Sequence, residues 1–188
     1  MKKNKIFKYA MTCMLFLMAI FSINEVHAEQ YTGQAIWPSE YISNIYIKKV
    51  KPDGYTKYQQ ARFIRRSEDN AFVYCVQPYT DIDNNLPYYN VARSDYARVL
   101  GFSDAQWERI SLLAYYGYGY EGHSDQKWYA ITQVMIWRTT NPESDIYFTS
   151  SLNGSRTNKF DGEIAELESL VAKHYTAPKF QSDIVMPI

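Results

Sequence analysis

Cys75 and Gln133 are the two side chains whose types and surroundings suggest chemistry. Cys75 lies in the apolar run 71–77, and Gln133 lies in a run without Gly or Pro, four residues after Tyr129 and four before Trp137. A buried primary amide without partners costs about 1–3 kcal/mol. Gln133 is therefore either fully hydrogen-bonded or no longer a free amide. Cys75 is an inert core thiol, a nucleophile, or one end of a cross-link to something other than sulfur.

An internal thioester would join these two residues. A thiolate at Cys75 could attack the carboxamide carbon of Gln133 and expel ammonia, which removes the primary amide whose burial is costly. The surroundings of such a bond must exclude water, because thioesters hydrolyse. The aromatic neighbours Tyr129 and Trp137, and the apolar flanks of Cys75 with Tyr74 among them, suit that requirement.

Two other functions stay open on these residues alone. Cys75 with His123 or His174 could form a Cys/His hydrolase or transpeptidase, although no helix N-terminus that would lower the thiol pKa is predicted at Cys75. The third possibility is a non-covalent binding module with an inert cysteine. We expect no metal and no cofactor, because the sequence shows no metal-ligand spacing, no Gly-rich phosphate loop after a strand and no nucleophile elbow.

A helix and a strand must position the pair. The sequence predicts a helix from Asp125 to Thr140 with Ser124 as its N-cap. One face of this helix is a core-facing stripe, and a second row holds Gln133 between two aromatics, so the helix is expected to be buried on both sides. A buried strand is predicted over Ala71 to Gln77, which places Cys75 on an interior strand.

The rest of the pattern runs from strands to helices with little alternation, which predicts an α+β fold. Further strands are predicted at Tyr31–Trp37, Tyr41–Lys51 (with Ile42, Tyr46 and Val50 on one side), Tyr55–Arg66 and Ile146–Leu152, and further helices at Val91–Leu100, from Ser103 or Asp104 to Tyr116, and from Asp161. We expect one domain over residues 29–188. It would combine an N-terminal antiparallel β-sheet or sandwich lobe at about 30–80 with a mainly helical lobe at about 91–176.

Residues 1–28 have the pattern of a secretory signal peptide. Four lysines between positions 2 and 8 precede an apolar segment from Tyr9 to Ile23, and Val26-His27-Ala28 supplies the small residues of a cleavage site. Removal of this segment leaves Cys75 as the single cysteine, with 16 basic and 19 acidic residues and a formal charge of −3. With no basic block, we expect no nucleic-acid binding, and we expect no membrane insertion of the mature domain.

Three short motifs occur in order: Tyr74-Cys75-Val76, the Gly-Tyr turn at Tyr115–Gly119, and the helix motif Ile131–Trp137. Together they resemble the thioester domains of Gram-positive surface adhesins, which pair an aromatic-Cys strand motif with a Thr-Gln helix motif that ends in Trp. The helix residues Glu163–Leu170 and the exit Pro178-Lys179-Phe180 are similar to the family as well. The resemblance thus covers most of the chain after residue 28.

The resemblance implies that Cys75 supplies the thiol, and Gln133 the acyl group, of an internal thioester. A Lys amine of a host surface or extracellular-matrix protein would attack it, form an isopeptide bond and release the thiol. His123 or a tyrosine of residues 115–120 could assist the incoming amine. This is single-turnover covalent binding, so we expect no enzyme. We expect a secreted monomer, attached to the cell wall if the domain belongs to a longer chain.

Overall fold

The computed structural model of the chain describes residues 36–82, 88–91, 100–174 and 184–187. These ranges lie within Gly33–Ile188, which forms one compact unit. The signal peptide predicted over residues 1–28 lies outside the described residues. So does nearly all of the helix predicted from Val91 to Leu100.

The described elements are two antiparallel sheets and three helices that lie wholly within the described ranges. The strands are β1 (Ile36–Val50), β2 (Thr56–Arg66), β3 (Tyr88–Val91), β4 (Asp145–Thr149) and β5 (Ile184–Pro187), and the helices are α1 (Asp104–Tyr116), α2 (Gln126–Thr140) and α3 (Asp161–Ala172). The larger sheet has the order β2-β1-β4, and β3 pairs with β5. The α+β prediction is confirmed. Strand β4 matches the strand predicted at Ile146–Leu152. It lies in the range of the predicted helical lobe but pairs with β1 of the predicted strand lobe.

Strand β1 is one long strand where the sequence predicts two. The predicted strands Tyr31–Trp37 and Tyr41–Lys51 are continuous from Ile36, and the prediction of a break at Pro38 is wrong. Pairing with β2 is interrupted twice between Pro38 and Tyr46, in the region where Asn44 has a φ of 57°. Because β4 pairs only with the C-terminal part of β1, the missing N–H of Pro38 lies where a strand tolerates it.

These irregularities decide which side chains of β1 face the core. Ile45, Ile47 and Lys49 are buried, whereas Tyr46 and Val50, which the sequence pattern puts on the same side as the buried Ile42, are only half-buried. An extra residue in a strand moves every later side chain to the opposite face. The predicted alternation is therefore wrong beyond Asn44, and a lysine faces the interior.

Helix α2 is the central element of the core. All residues from Trp128 to Trp137 are buried, which confirms that both faces of the helix are covered. Its N-cap is Asp125 rather than the predicted Ser124, since the Asp125 carboxylate accepts from the Lys127 N–H at 2.8 Å. The main apolar cluster combines residues of the larger sheet with residues of the three helices, among them Ile47, Phe63, Leu113, Ile136, Phe148 and Leu167.

The segment 71–77 is extended but is not the predicted strand. It joins β2 at a single isolated bridge between Phe72 and Arg65. There the Val73 N–H donates to the Ile64 carbonyl and the Arg66 N–H donates to the Ala71 carbonyl, both at 3.0 Å. After Val73 the backbone of this segment takes its partners from side chains of α2. The strand ladder ends there because a helix, not another strand, supplies the next hydrogen bonds.

Candidate functional site

The Gln133 side chain binds the backbone of Cys75 through two hydrogen bonds. Its Nε2 donates to the Cys75 carbonyl oxygen at 2.7 Å, and its Oε1 accepts from the Cys75 N–H at 2.8 Å. The residue is 4% exposed, so both polar atoms of the buried amide are satisfied within the protein. The two residues are 58 positions apart in sequence, and the fold brings the amide of one against the backbone of the other.

Tyr129 holds the same segment one step earlier. Its hydroxyl accepts from the Ile64 N–H of β2 at 3.1 Å and donates to the Val73 carbonyl at 2.6 Å. Tyr129 is fully buried, and burial raises its pKa well above the ordinary value, so the hydroxyl stays a neutral donor. Together with Gln133, it replaces the missing strand ladder and fixes the position of the segment 71–77.

The other predicted aromatic residues also lie at the pair. The Tyr74 ring stacks on Tyr129 with centroids 4.9 Å apart and an angle of 21° between the planes. Trp137 is 4% exposed and lines the same cavity as Cys75 and Gln133. Within the described residues, the indole N–H of Trp137 has no hydrogen-bond partner. It nevertheless lies close to Cys75, where it counteracts part of the rise in the thiol pKa. Tyr129 and Trp137 therefore line the cavity of the pair, and Tyr74 lies behind Tyr129.

The thiol of Cys75 is kept neutral in this environment. Burial raises its pKa, while the Gln77 backbone, Trp137 and Lys49 act in the opposite direction. The Sγ donates to the Gln77 carbonyl at 3.2 Å, and the residue retains partial solvent exposure. A raised thiol pKa is the reverse of what a cysteine hydrolase needs, because the thiolate is the nucleophile.

Lys49 is the site residue that the sequence reading missed. It is 1% exposed, and its Nζ donates to Gln59 Oε1 at 2.6 Å and to the Pro78 carbonyl. The same Nζ lies 4.4 Å from the centroid of the Trp137 ring. Burial, followed by the charge of Lys57, lowers the pKa of Lys49 to about 8. Lys49 alternates with Ile45 and Ile47, and this pattern could have indicated that Lys49 is buried. It was not recognised because the irregular pairing of β1 with β2 changes which later residues face the core.

A small cavity of about 50 Å³ connects these groups. Among the residues that line it are Lys49, Gln59, Cys75, Gln133 and Trp137. This volume is enough for one or two water-sized groups. An amine that reaches the pair would therefore occupy a confined space with a lysine and a thiol in its wall.

The Gly-Tyr turn packs against α2. A Cβ on Gly117 would lie 2.1 Å from Thr132 Oγ1 and 2.7 Å from the Leu113 carbonyl oxygen. Only glycine allows such a close approach of the turn to α2. Thr132 precedes Gln133, so the turn contacts α2 directly beside Gln133.

His123 is not placed with the Cys75–Gln133 pair. Its Nδ1 is 2.5 Å from the Tyr116 carbonyl oxygen, and its Nε2 is 3.4 Å from the Glu166 carboxylate. The buried ring stacks on Trp128 with centroids 3.5 Å apart. Trp128 belongs to the other row of α2, so His123 packs on the face away from Gln133.

The second histidine lies near the first. His174 Nδ1 is 2.5 Å from the Tyr116 hydroxyl. Over the described ranges, no hydrogen bond or ring contact joins His123 or His174 to Cys75. The geometry thus gives no support to a Cys/His hydrolase or transpeptidase, which needs its base in contact with the thiol.

The described ranges lack two further kinds of feature, a metal site and a membrane span. No group of three or more His, Cys, Asp or Glu side chains there could hold a metal ion. In the same part of the chain, no helix has both the length and the apolar composition needed to cross a bilayer.

Comparison with known proteins identifies the family. The family model for the thioester domain matches residues 72–176, more than half of the 188 residues, and the match includes both Cys75 and Gln133. The chain therefore belongs to the thioester-domain family, which confirms the resemblance. No curated protein and no solved structure matches the chain. The family points to a covalent-binding domain of the adhesin type, and thioester domains occur in surface proteins.

Proposed function

We propose that this thioester domain forms an internal thioester between Cys75 and Gln133 and uses it once, to bind a protein amine covalently. The observation that carries the proposal is the double hydrogen bond between the Gln133 amide and the Cys75 backbone, at 2.7 and 2.8 Å. It holds the acyl group against the residue that supplies the thiol before any bond forms. This preorganisation replaces a diffusive encounter by an intramolecular one.

Formation of the thioester balances without a co-reactant. The Cys75 sulfur bonds to the side-chain carbonyl carbon of Gln133, the carbon–nitrogen bond breaks, and the thiol proton leaves with the nitrogen as ammonia. The Cys75 N–H, 2.8 Å from Gln133 Oε1, points at the oxygen that becomes negative in the tetrahedral intermediate. A fixed backbone donor at that distance acts as an oxyanion hole.

The stored thioester then reacts with an amine. A neutral Lys side chain attacks the carbonyl carbon derived from Gln133, an isopeptide bond forms, and the carbon–sulfur bond breaks to return the Cys75 thiol. Nothing regenerates the thioester, so the domain is a single-use binder and not an enzyme. We infer that the partner is a host surface or extracellular-matrix protein and that the domain is a secreted, monomeric adhesin unit of a Gram-positive bacterium.

Intact mass tests the proposal. The freshly purified chain should be lighter by one ammonia, and methylamine should add its own mass while one thiol becomes titratable. Cys75→Ala and Gln133→Ala should show neither change. Gln126→Ala, at the exposed start of the same helix, is the matched control and should keep the deficit.

The methylamine step is essential because Lys49 lines the same cavity. A Lys49–Gln133 isopeptide would also remove one ammonia, but it would resist methylamine and leave Cys75 free from the start. A chain of full mass with a titratable thiol, or a deficit that methylamine does not reverse, would refute the thioester.

A further inference from the structure

Lys49 is a buried lysine in the wall of the cavity of the Cys75–Gln133 pair, and the thioester reaction as described assigns it no part. We propose that the Lys49 ammonium is the counter-charge that stabilises the Cys75 thiolate, both when the thioester forms and when an amine opens it. The inference rests on the proposed function. It concerns a positioning charge that acts through Cys75.

The contacts of Lys49 favour its charged form. An ammonium has three N–H donors, and the Lys49 Nζ faces three acceptors: Gln59 Oε1, the Pro78 carbonyl and the face of the Trp137 ring. A neutral amine would bring a lone pair against one of these acceptors. With a pKa of about 8, the side chain is still mostly charged near pH 7.

Within the described residues Lys49 forms no ion pair with a carboxylate, although Asp81 in the cavity wall acts on its charge and raises its pKa. The charged and titratable groups around the cavity are Lys57 and Arg62 from β2, Cys75 and Asp81 from the segment that follows β2, and Tyr129 from α2. Asp81 is bound to Lys57 at 2.5 Å, and Tyr129 stays protonated. Because Lys57 holds Asp81, Lys49 has no contacting carboxylate in the described part of the chain, and its charge can stabilise a thiolate at Cys75.

Trp137 links the two groups. Its ring lies under the Lys49 Nζ, and its indole N–H is close to Cys75. Burial alone works against the thiolate, because it raises the pKa of Cys75. A site that must expel this thiolate from a thioester therefore needs a nearby positive charge, and Lys49 is the buried cation in the wall of the cavity.

The charge acts at two steps. In formation, it favours the thiolate that attacks Gln133, and the proton given up by the thiol is returned to the departing ammonia. In opening, the sulfur leaves as a thiolate beside the ammonium. The thiolate then takes up the proton that the attacking nitrogen releases. Lys49 ends each step in its starting state.

Hydroxylamine is the best probe of the opening step, because it is already mostly neutral at pH 7. Any change in the rate between pH 7 and pH 9 then comes from the protein and not from the protonation of the amine. The rate of hydroxamate formation would be followed by intact mass from pH 7 to pH 9. The variants are Lys49→Met, which removes the charge at similar length, and Lys49→Arg, which keeps it at every pH. Lys48→Met, on the opposite face of β1, is the matched control. Thermal unfolding checks the fold of each variant.

The expected size follows from the thiol. An adjacent opposite charge lowers a pKa by about 1–3 units, and thiol chemistry responds to pKa with a sensitivity of about half, so Lys49→Met should slow the reaction roughly 3- to 30-fold at pH 7. The wild-type rate constant should fall as pH rises through about 8, where Lys49 loses its charge. Lys49→Arg should lose that fall, and Lys48→Met should behave as wild type.

The outcomes separate the two proposals. A wild-type chain without the ammonia deficit overturns the proposed function and this inference with it. A wild-type thioester that reacts at the same rate from pH 7 to pH 9, or a folded Lys49→Met variant with the wild-type rate, overturns the inference alone. If Lys49→Met does not fold, the pH profiles of the wild type and of Lys49→Arg still decide. The proposal predicts a fall in rate near pH 8 for the wild type and none for Lys49→Arg, whereas a packing role for Lys49 predicts no fall in either.

Discussion

Tyr129→Phe isolates the contribution of one oxygen atom to the site. That hydroxyl accepts from the Ile64 N–H at 3.1 Å and donates to the Val73 carbonyl at 2.6 Å. Phenylalanine keeps the ring that stacks on Tyr74, so the packing should change little. The substitution leaves a buried N–H unsatisfied, at about 1–3 kcal/mol, and removes one further hydrogen bond worth about 0.5–1.5 kcal/mol. We expect the free energy of unfolding to fall by about 2–4 kcal/mol.

The same substitution should affect the chemistry through position alone. Val73 lies two residues before Cys75, and the Tyr129 hydroxyl is one of the anchors of that segment. Without it, the Cys75 backbone is held against α2 mainly by the Gln133 amide. We expect slower thioester formation, seen as an incomplete ammonia deficit soon after purification.

Urea denaturation measures the stability effect, and it should be done in a Cys75→Ala background. There the cross-link cannot form, so it cannot mask the loss by constraining the unfolded chain. Tyr55→Phe, at a residue that is 53% exposed, is the control and should change stability by less than about 0.5 kcal/mol. A Tyr129→Phe change as small as that of the control would show that the bridge between β2 and the Cys75 segment contributes nothing.

Three further predictions concern the neighbours of this bridge. Gln133→Glu should abolish the ammonia deficit and lower the unfolding free energy by about 1–3 kcal/mol near pH 7, since a carboxylate cannot donate to the Cys75 carbonyl; a full deficit in this variant by intact mass would contradict the assignment. His123→Ala should cost about 2 kcal/mol or more in urea denaturation, because the ring is buried on Trp128, but should leave the ammonia deficit intact; loss of the deficit in folded protein would restore a chemical role to His123. After methylamine treatment, iodoacetamide should alkylate Cys75 more slowly than a cysteine in a short peptide at pH 8, because a raised pKa leaves less thiolate; an equal rate would argue against that pKa.

The sequence allowed helix α2 and its buried amide to be predicted well. A run without Gly or Pro, apolar in two rows, required burial on both sides, and residues 128–137 are indeed all buried. The pairing of Gln133 with Cys75 followed from chemistry and family resemblance. Both arguments concern which residue types can coexist in a core, and such arguments do not depend on exact backbone geometry.

The interpretations that failed depended on partners distant in sequence. The segment 71–77 has the composition of a buried strand, but the groups that bind its backbone after Val73 are the side chains of Tyr129 and Gln133. Lys49 was missed because the irregular pairing of β1 reverses the face of its later residues. A local sequence pattern cannot predict that a helix will replace a neighbouring strand as the hydrogen-bond partner. Nor can it predict where pairing with another strand produces a bulge.

If the proposed thioester forms, two negative charges must be stabilised when it is made or opened. Negative charge develops first on the Gln133 oxygen, where the Cys75 N–H already lies at 2.8 Å, and then on the Cys75 sulfur, whose cavity contains the Lys49 ammonium. The first donor exists because α2 supplies hydrogen bonds where β2 does not. The second exists because the bulge in β1 turns a lysine inward. In the proposed reaction, the departures from regular strand structure thus place one stabilising group at each charge.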